Sequence, residues 1–288
     1  MIENCQSPRA TIKQPSLKAP KNSCDCHLHI IGPPDRYSFA AVRNYTPPEA
    51  GVEQYLSVAK TLGLERMVIV QPSVYGMDNS CTLDALKRLG KDRCRAVVVV
   101  DDEVSETELR NMHEAGVRGV RLNLITAGGP GRAVLKTVAK KIAPLGWHLQ
   151  VWVHSEQLPE LAPTLLEWPT PVVIDHMGQI KSDEDMNGLP VKSLRALLDS
   201  GRCWVKLCGY RCSKAGYPFT DVQTLAKELI CGTAERCLWG TDWPHVYFFG
   251  TMADTGELLD LLADWAPSSA LQKKILVENP AALYGFPV

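Results

Sequence analysis

Strand-like apolar runs alternate with amphipathic segments along nearly the whole chain. The runs at 24–30, 67–72, 95–101, 118–124, 148–154, 172–176, 203–208 and 237–241 are mostly apolar or β-branched, as in Met67-Val68-Ile69-Val70 and Val172-Val173-Ile174. Strands covered on both faces have this composition, because neither face meets water. Between them, segments 51–64, 81–89, 105–115, 132–143, 159–167, 192–198, 221–229 and 256–263 place apolar residues at helical spacing. Asn79 or Ser80 is a candidate N-cap, and Ser105 with Glu108 has the spacing of a capping box. Gly63, Gly90, Gly116, Gly146, Gly201 and Gly232 fall near the expected helix ends, where a left-handed residue suits the chain reversal. Eight alternations without a break in composition predict a single (β/α)8 barrel. A doubly wound open sheet is the competing architecture, but no Gly-x-Gly-x-x-Gly follows the first strand.

The length of 288 residues suits one such barrel, which typically needs about 250. Residues 1–22 are polar and carry Pro8, Pro15 and Pro20, so a loosely ordered arm is expected before a barrel spanning 23–288. That arm has no apolar core of the secretory kind. After the eighth helix, one more helix and an apolar capping segment are expected. The 31 basic and 32 acidic residues form no long run of one sign, which argues against a nucleic-acid partner. No apolar stretch approaches the ~20 residues of a membrane span. The ten cysteines are scattered, with no Cys-x2-Cys pair, and read as reduced, mostly buried thiols of a cytoplasmic protein. Homo-oligomer formation is left open.

Chemistry collects at the strand ends, where such barrels carry their sites. His27 and His29 alternate on the first strand, so both rings face one way about 7 Å apart. His154, His176 and His245 also lie in or just after strands, while His148 begins one and should sit at the opposite end, and His113 lies in a helical pattern. Cys24 and Cys26 are expected on the face opposite His27 and His29. Arg121 and Asn123 share a face of the fourth strand, as do Gln150, Trp152 and His154 on the fifth. Lys206 and Cys208 lie on the seventh, Lys206 as a structural residue or the charge partner of a carboxylate. Asp242, beyond the eighth, would face the histidines across the mouth and serve as general base for a water. The imidazoles, or a metal they hold, would polarise a carbonyl. Arg121 and Arg211 suit bidentate carboxylate binding, whereas Arg118 and Arg132 are expected on the surface.

His27-x-His29, Asp175-His176-Met177-Gly178, Gly240-Thr241-Asp242-Trp243-Pro244-His245 and Asn279-Pro280-Ala281-x-Leu283-Tyr284-Gly285 together resemble the amidohydrolase superfamily, in particular its lactonase branch. Arg43-Asn44-Tyr45-Thr46-Pro47 and Asp78-Asn79 match as well, so the resemblance spans roughly 24–286. It implies a distorted TIM barrel that hydrolyses a carboxylate-bearing lactone. Asp242 would be the base, with His27, His29 and His176 around the carbonyl. Tyr45, Thr46, Ser73, Arg121, Arg211 and His245 would contact the small-molecule substrate, with Asn123 and Trp152 as further candidate substrate-binding residues. Members acting on a pyrone dicarboxylate carry two further arginines, where this chain has Leu124 to Gly129 and Gln179. That difference favours a less charged lactone, such as one derived from a sugar acid. The resemblance implies no required cofactor; the alternative is one Zn2+ or other divalent metal on His27, His29, His154 and Asp242. Isomerisation of a sugar-acid lactone and a zinc-dependent decarboxylation are the competing reactions.

Overall fold

The computed structural model describes residues 2–127 and 129–287. Met1 of the expected arm, Gly128 of the 124–129 segment and Val288 of the expected barrel lie outside the described residues. The eight apolar runs form strands β1 (Cys24–Leu28), β2 (Arg66–Val70), β3 (Cys94–Val98), β4 (Val117–Asn123), β5 (His148–Trp152), β6 (Val172–Ile174), β7 (Cys203–Leu207) and β8 (Cys237–Trp239). Among the described residues they pair in chain order as one parallel sheet. Each begins within a residue of its expected start and stops one to three residues early. The residues that leave the ladder early are those that build the loops above it.

Helices α1 (Val52–Leu62), α2 (Ser80–Leu89), α3 (Glu106–Ala115), α4 (Leu135–Ile142), α5 (Leu158–Glu167), α6 (Leu189–Asp199), α7 (Gln223–Thr233) and α8 (Thr255–Trp265) alternate with the strands. The capping box of α3 is present: Glu108 N–H donates to Ser105 Oγ at 3.2 Å, and Ser105 N–H donates to Glu108 Oε2 at 2.8 Å. Asn79 occupies the cap position of α2, yet its side chain pairs with the Val99 backbone instead of the helix. Gly232 does not end a helix, because α7 continues to Thr233. Outward strand residues such as Ile69, Val98, Leu122 and Val151 pack with helix residues in one core. A second cluster, including Val68, Val97, Val173, Trp204 and Leu238 with Tyr284 and Phe286 of the tail, fills the barrel interior. The tail therefore plugs the end at which the strands begin.

The open-sheet alternative fails at the seam between β1 and β8. His29 N–H donates to Trp243 O and Asp242 N–H donates to His27 O, each at 2.8 Å. Closure is thus made by the chain just beyond β8, which is the distortion of this barrel. Gly240 is required there, because a Cβ would stand 2.7 Å from both Cβ and N of His27.

Two expectations need correction. Between Asp25↔Met67 and Leu28↔Ile69, β1 advances three residues while β2 advances two, a β-bulge. The extra residue lets Cys26 join Cys24 in the inner cluster without turning His27 away from the site, so thiols and imidazoles do not lie on opposite faces. The arm is also tied down. Glu3–Asn4 pairs with Tyr45–Thr46, Lys13 N–H donates to the Asp254 carboxylate at 3.1 Å, and Ser16 N–H donates to Asp260 Oδ1 at 2.7 Å. Its backbone donors find carboxylates at the start and in the body of α8, which composition alone does not reveal.

Candidate active site

Asp242 is the hub of the site, and its neighbours are placed by three loops. It is fully buried, and its backbone takes a left-handed φ of 57°. His176, Met177, Gln179, His245 and Tyr247 share that unusual conformation, on the loops after β6 and β8. Non-glycine residues hold it only where surroundings impose it, at about 1–3 kcal/mol each, and such strain collects at functional sites. Tyr210 Oη donates to Asp242 Oδ2 at 2.6 Å, and Arg211 Nε donates to the same oxygen. The other oxygen, Oδ1, stands 3.4 Å from His29 Nε2 and 3.6 Å from His27 Nε2. His176 Nδ1 lies 3.9 Å from Oδ2. Burial alone would raise the Asp242 pKa, but the Arg211 guanidinium above all holds it well below the usual range.

The proton on the His29 ring can be placed from its partner. His29 Nδ1 lies 2.7 Å from the Val70 carbonyl, which can only accept, so Nδ1 carries the proton and Nε2 is bare. His27 Nδ1 lies between an acceptor, Asp175 Oδ1 at 3.4 Å, and a donor, Lys206 Nζ at 3.5 Å, so its proton is not assigned by its neighbours. Burial lowers both histidine pKa values, which keeps the rings neutral. His27, His29 and Asp242 converge, one ligand atom of each lying within 4.8 Å of the others. Among the described residues, neither His27 Nε2 nor Asp242 Oδ1 has a hydrogen-bond partner. Two imidazoles and one carboxylate are a donor set that fits a divalent ion such as Zn2+.

His154 does not complete that set. It is exposed, and its carbonyl accepts from Gln157 N at 3.0 Å in the turn that leads into α5. The fifth strand bends away after Trp152, so His154 sits above the ladder and outside the inner face. Arg211 differs from expectation too. Besides Asp242, it donates to the carbonyls of Val246 at 2.7 Å and Tyr247 at 3.4 Å, so it anchors the base within the protein. Arg121 keeps donors in reserve. Its Nη1 donates to Gln71 O at 3.0 Å, while among the described residues Nε has no hydrogen-bond partner.

Above these groups, Arg121 and Arg211 lie over the Trp152 ring at 5.3 and 5.4 Å. Tyr45 stacks near Tyr247 at 5.6 Å and accepts from Ser73 Oγ at 3.1 Å. Thr46 is half-buried beside them, its carbonyl accepting from Cys5 N at 2.9 Å. Asn123 accepts from the backbone of Ile125 and Thr126 at 3.0 Å, which makes it a loop brace. His245 packs its ring on Tyr210 at 5.2 Å, with Nε2 3.3 Å from Thr255 Oγ1. A larger surface cleft is lined by Arg36, Glu53, Asp84 and Arg88, where Arg36 pairs with Asp84 and Arg88 with Glu53, and it holds no histidine. His148, at the far end of the barrel, stacks edge-on with Tyr284 at 5.3 Å, as its place in the sequence predicts. Tyr210 is the contact that sequence reasoning missed; its only signal was adjacency to Arg211.

A family model described as amidohydrolase matches residues 24–286. The chain belongs to the amidohydrolase family. It is 38% identical over 290 residues to a 4-sulfomuconolactone hydrolase of Rhizobium radiobacter, covering 99% of this chain and 97% of that protein. It is 36% identical to a 2-pyrone-4,6-dicarboxylate hydrolase of Comamonas testosteroni, covering 96% and 94%. Among solved structures, a probable 2-pyrone-4,6-dicarboxylic acid hydrolase of Acinetobacter baumannii with citric acid bound superposes with a TM-score of 0.79 at 26% identity, covering 92% of this chain and 100% of that one. Both the fold and the amidohydrolase assignment expected from the motifs are thereby met. Among the described residues, no helix is long and apolar enough to cross a membrane.

Proposed function

We propose that this amidohydrolase opens a lactone ring that bears an anionic group. The carrying observation is Asp242, anchored through Oδ2 and presenting a bare Oδ1 beside His27 and His29. In this scheme Asp242 Oδ1 takes a proton from water, the resulting hydroxide adds to the lactone carbonyl, and the ring C–O bond breaks. The same carboxyl returns the proton to the leaving oxygen. Arg121, whose guanidinium lies over the Trp152 ring, holds the substrate's anion against the Trp152 and Tyr45 walls. Facing inward are three cations, Arg121, Lys206 and Arg211, and two carboxylates, Asp175 and Asp242. Arg211 is taken up by Asp242 and Lys206 lies against Gln150 and Asp175, so Arg121 is the one guanidinium left to meet a carboxylate or sulfonate of the substrate. This agrees with relatives that act on 4-sulfomuconolactone and with the arginines missing after β4 and β6.

The bare Nε2 of His29, with His27 Nε2 and Asp242 Oδ1 beside it, supports the metal-holding form of the role expected for these imidazoles, a divalent ion at His27, His29 and Asp242. Such an ion would polarise the carbonyl as a Lewis acid. A panel of muconolactones, sugar lactones and pyrone carboxylates, followed by proton release and NMR of the products, tests the reaction. Ring opening to the hydroxy or oxo acid is expected, and an isomeric lactone or carbon dioxide as product would refute it. Elemental analysis of the purified protein should find about one divalent ion per chain, with turnover lost on chelation. Full turnover by metal-free protein would restore the metal-independent version.

A further inference from the structure

We propose that Asp25 is a positioning residue whose carboxylate pins the register of the seam between β1 and β8, and through it the separation of Asp242 from His27 and His29. Its side chain is fully buried, and the hydrolytic scheme leaves it without a task. Removing a carboxylate from water is costly, and a well-packed apolar side chain closes a core more cheaply. The groups gathered around Asp25 therefore indicate what it is held for.

Those groups come from three elements. Oδ1 accepts two backbone N–H groups, from His27 at 3.0 Å and from Thr241 at 2.9 Å, one on each side of the seam. Oδ2 accepts two hydroxyls, from Thr241 Oγ1 at 2.6 Å and from Tyr55 of α1 at 2.9 Å. Thr241 Oγ1 in turn accepts from Trp243 N–H at 3.0 Å, so the pinned segment straddles Asp242. The seam needs such a pin. Among the described residues β1 and β8 share no ladder, and β1 meets the chain beyond β8 at the isolated bridge Leu28↔Trp243. A slip of one residue on a strand turns every side chain to the other face. Here it would carry Asp242 away from the imidazoles, and the bulge in β1 at the same point gives the chain a residue with which to slip. The carboxylate resists that slip because one oxygen holds the backbone of His27 and of Thr241, and the residue after Thr241 is the base. Misplacing a reacting group by about 1 Å can cost on the order of 100-fold in rate.

The effect on turnover rests on the proposed lactone hydrolysis, whereas the pin does not, so the test reads both. Amide hydrogen exchange on the purified protein, followed by NMR, reports the seam through the Asp242 and His29 N–H groups. It reports the regular ladder through Gln71 N–H, which donates to Val97 O at 2.9 Å. Thr241→Val and Tyr55→Phe each remove one hydroxyl from Oδ2, and both should lower the melting temperature by a similar amount. Only Thr241→Val should speed exchange at Asp242 and His29, by about tenfold relative to Gln71. The same variant should lower kcat on any lactone turned over by roughly 10- to 100-fold with KM nearly unchanged. Asp25→Ala should do the same more strongly. Asp25→Asn should recover much of the loss, because its amide can keep the oxygen toward both backbone donors while the two hydroxyls turn to accept. If Asp25→Ala does not fold, as judged by circular dichroism, Thr241→Val carries the test. Unchanged seam exchange in a folded Thr241→Val or Asp25→Ala overturns the inference. So does a Tyr55→Phe that loosens the seam equally, as a merely structural carboxylate would have it, or full turnover in a variant whose seam is loosened. A seam loosened as expected, with no lactone consumed by the wild type, would uphold the pin and count against the proposed reaction instead.

Discussion

At the scale of single residues, Asp242 works because its two oxygens have different tasks. Oδ2 is held by Tyr210 and Arg211, and Oδ1 is left to the site. Asp242→Asn keeps the shape but loses the base, so kcat should fall roughly 100- to 10,000-fold, with a lower melting temperature because the buried Arg211 loses its carboxylate. Steady-state kinetics beside a thermal melt checks this, and turnover near wild-type would remove Asp242 from its role. Tyr210→Phe removes one of the two anchors. It should lower kcat about tenfold, the size of an outer-group effect, with little change in KM.

At the scale of elements, the seam between β1 and β8 and the arm above it decide whether the side chains meet. Gly240→Ala puts a methyl group against His27 at a seam that is already closed. A loss of about 1–3 kcal/mol in stability is expected, with activity falling further than stability explains, because His27 moves. Denaturant melts together with kinetics would separate the two effects. The arm reaches the site through Cys5, whose N–H donates to Thr46 O at 2.9 Å and whose Sγ accepts from Tyr247 N at 3.3 Å. Deleting residues 1–6 should therefore raise KM by about tenfold through loosened Tyr45 and Tyr247, while circular dichroism stays native. Unchanged kinetics would show that the arm only covers the mouth.

At the scale of the whole molecule, buried neutral histidines make stability depend on acid. Burial lowers His148 and His176 to about 3 and His245 to about 4, from an ordinary 6.5. Below about pH 6.5 the unfolded chain binds these protons and the folded one does not, so stability falls as pH drops toward 4. Asp25 opposes this, because burial raises its carboxyl to about 6 despite the Thr241 bonds, so its contribution declines as pH rises from about 4 to 6. Three histidines outweigh one aspartate, and Tm should decrease steadily between pH 7 and pH 4.5. A flat profile in calorimetry would mean that these rings are hydrated or already charged.

Much of this was legible from local pattern. Period-two alternation placed Arg121, Gln150 and Lys206 on inner faces, and the histidine–aspartate motifs marked the strand ends that share a rim. These features depend only on strand geometry, which repeats from residue to residue. Local pattern could not show the β1 bulge, the turning away of His154, or the capture of Arg211 by Asp242. Each depends on where the chain goes after it leaves the ladder, and a one-residue change there redirects a side chain completely. The sequence alone determined the barrel, its family and the ring of candidate groups. Only the tertiary structure decided which oxygen of Asp242 is open and which nitrogen of His29 is bare, because protons go where distant acceptors require them.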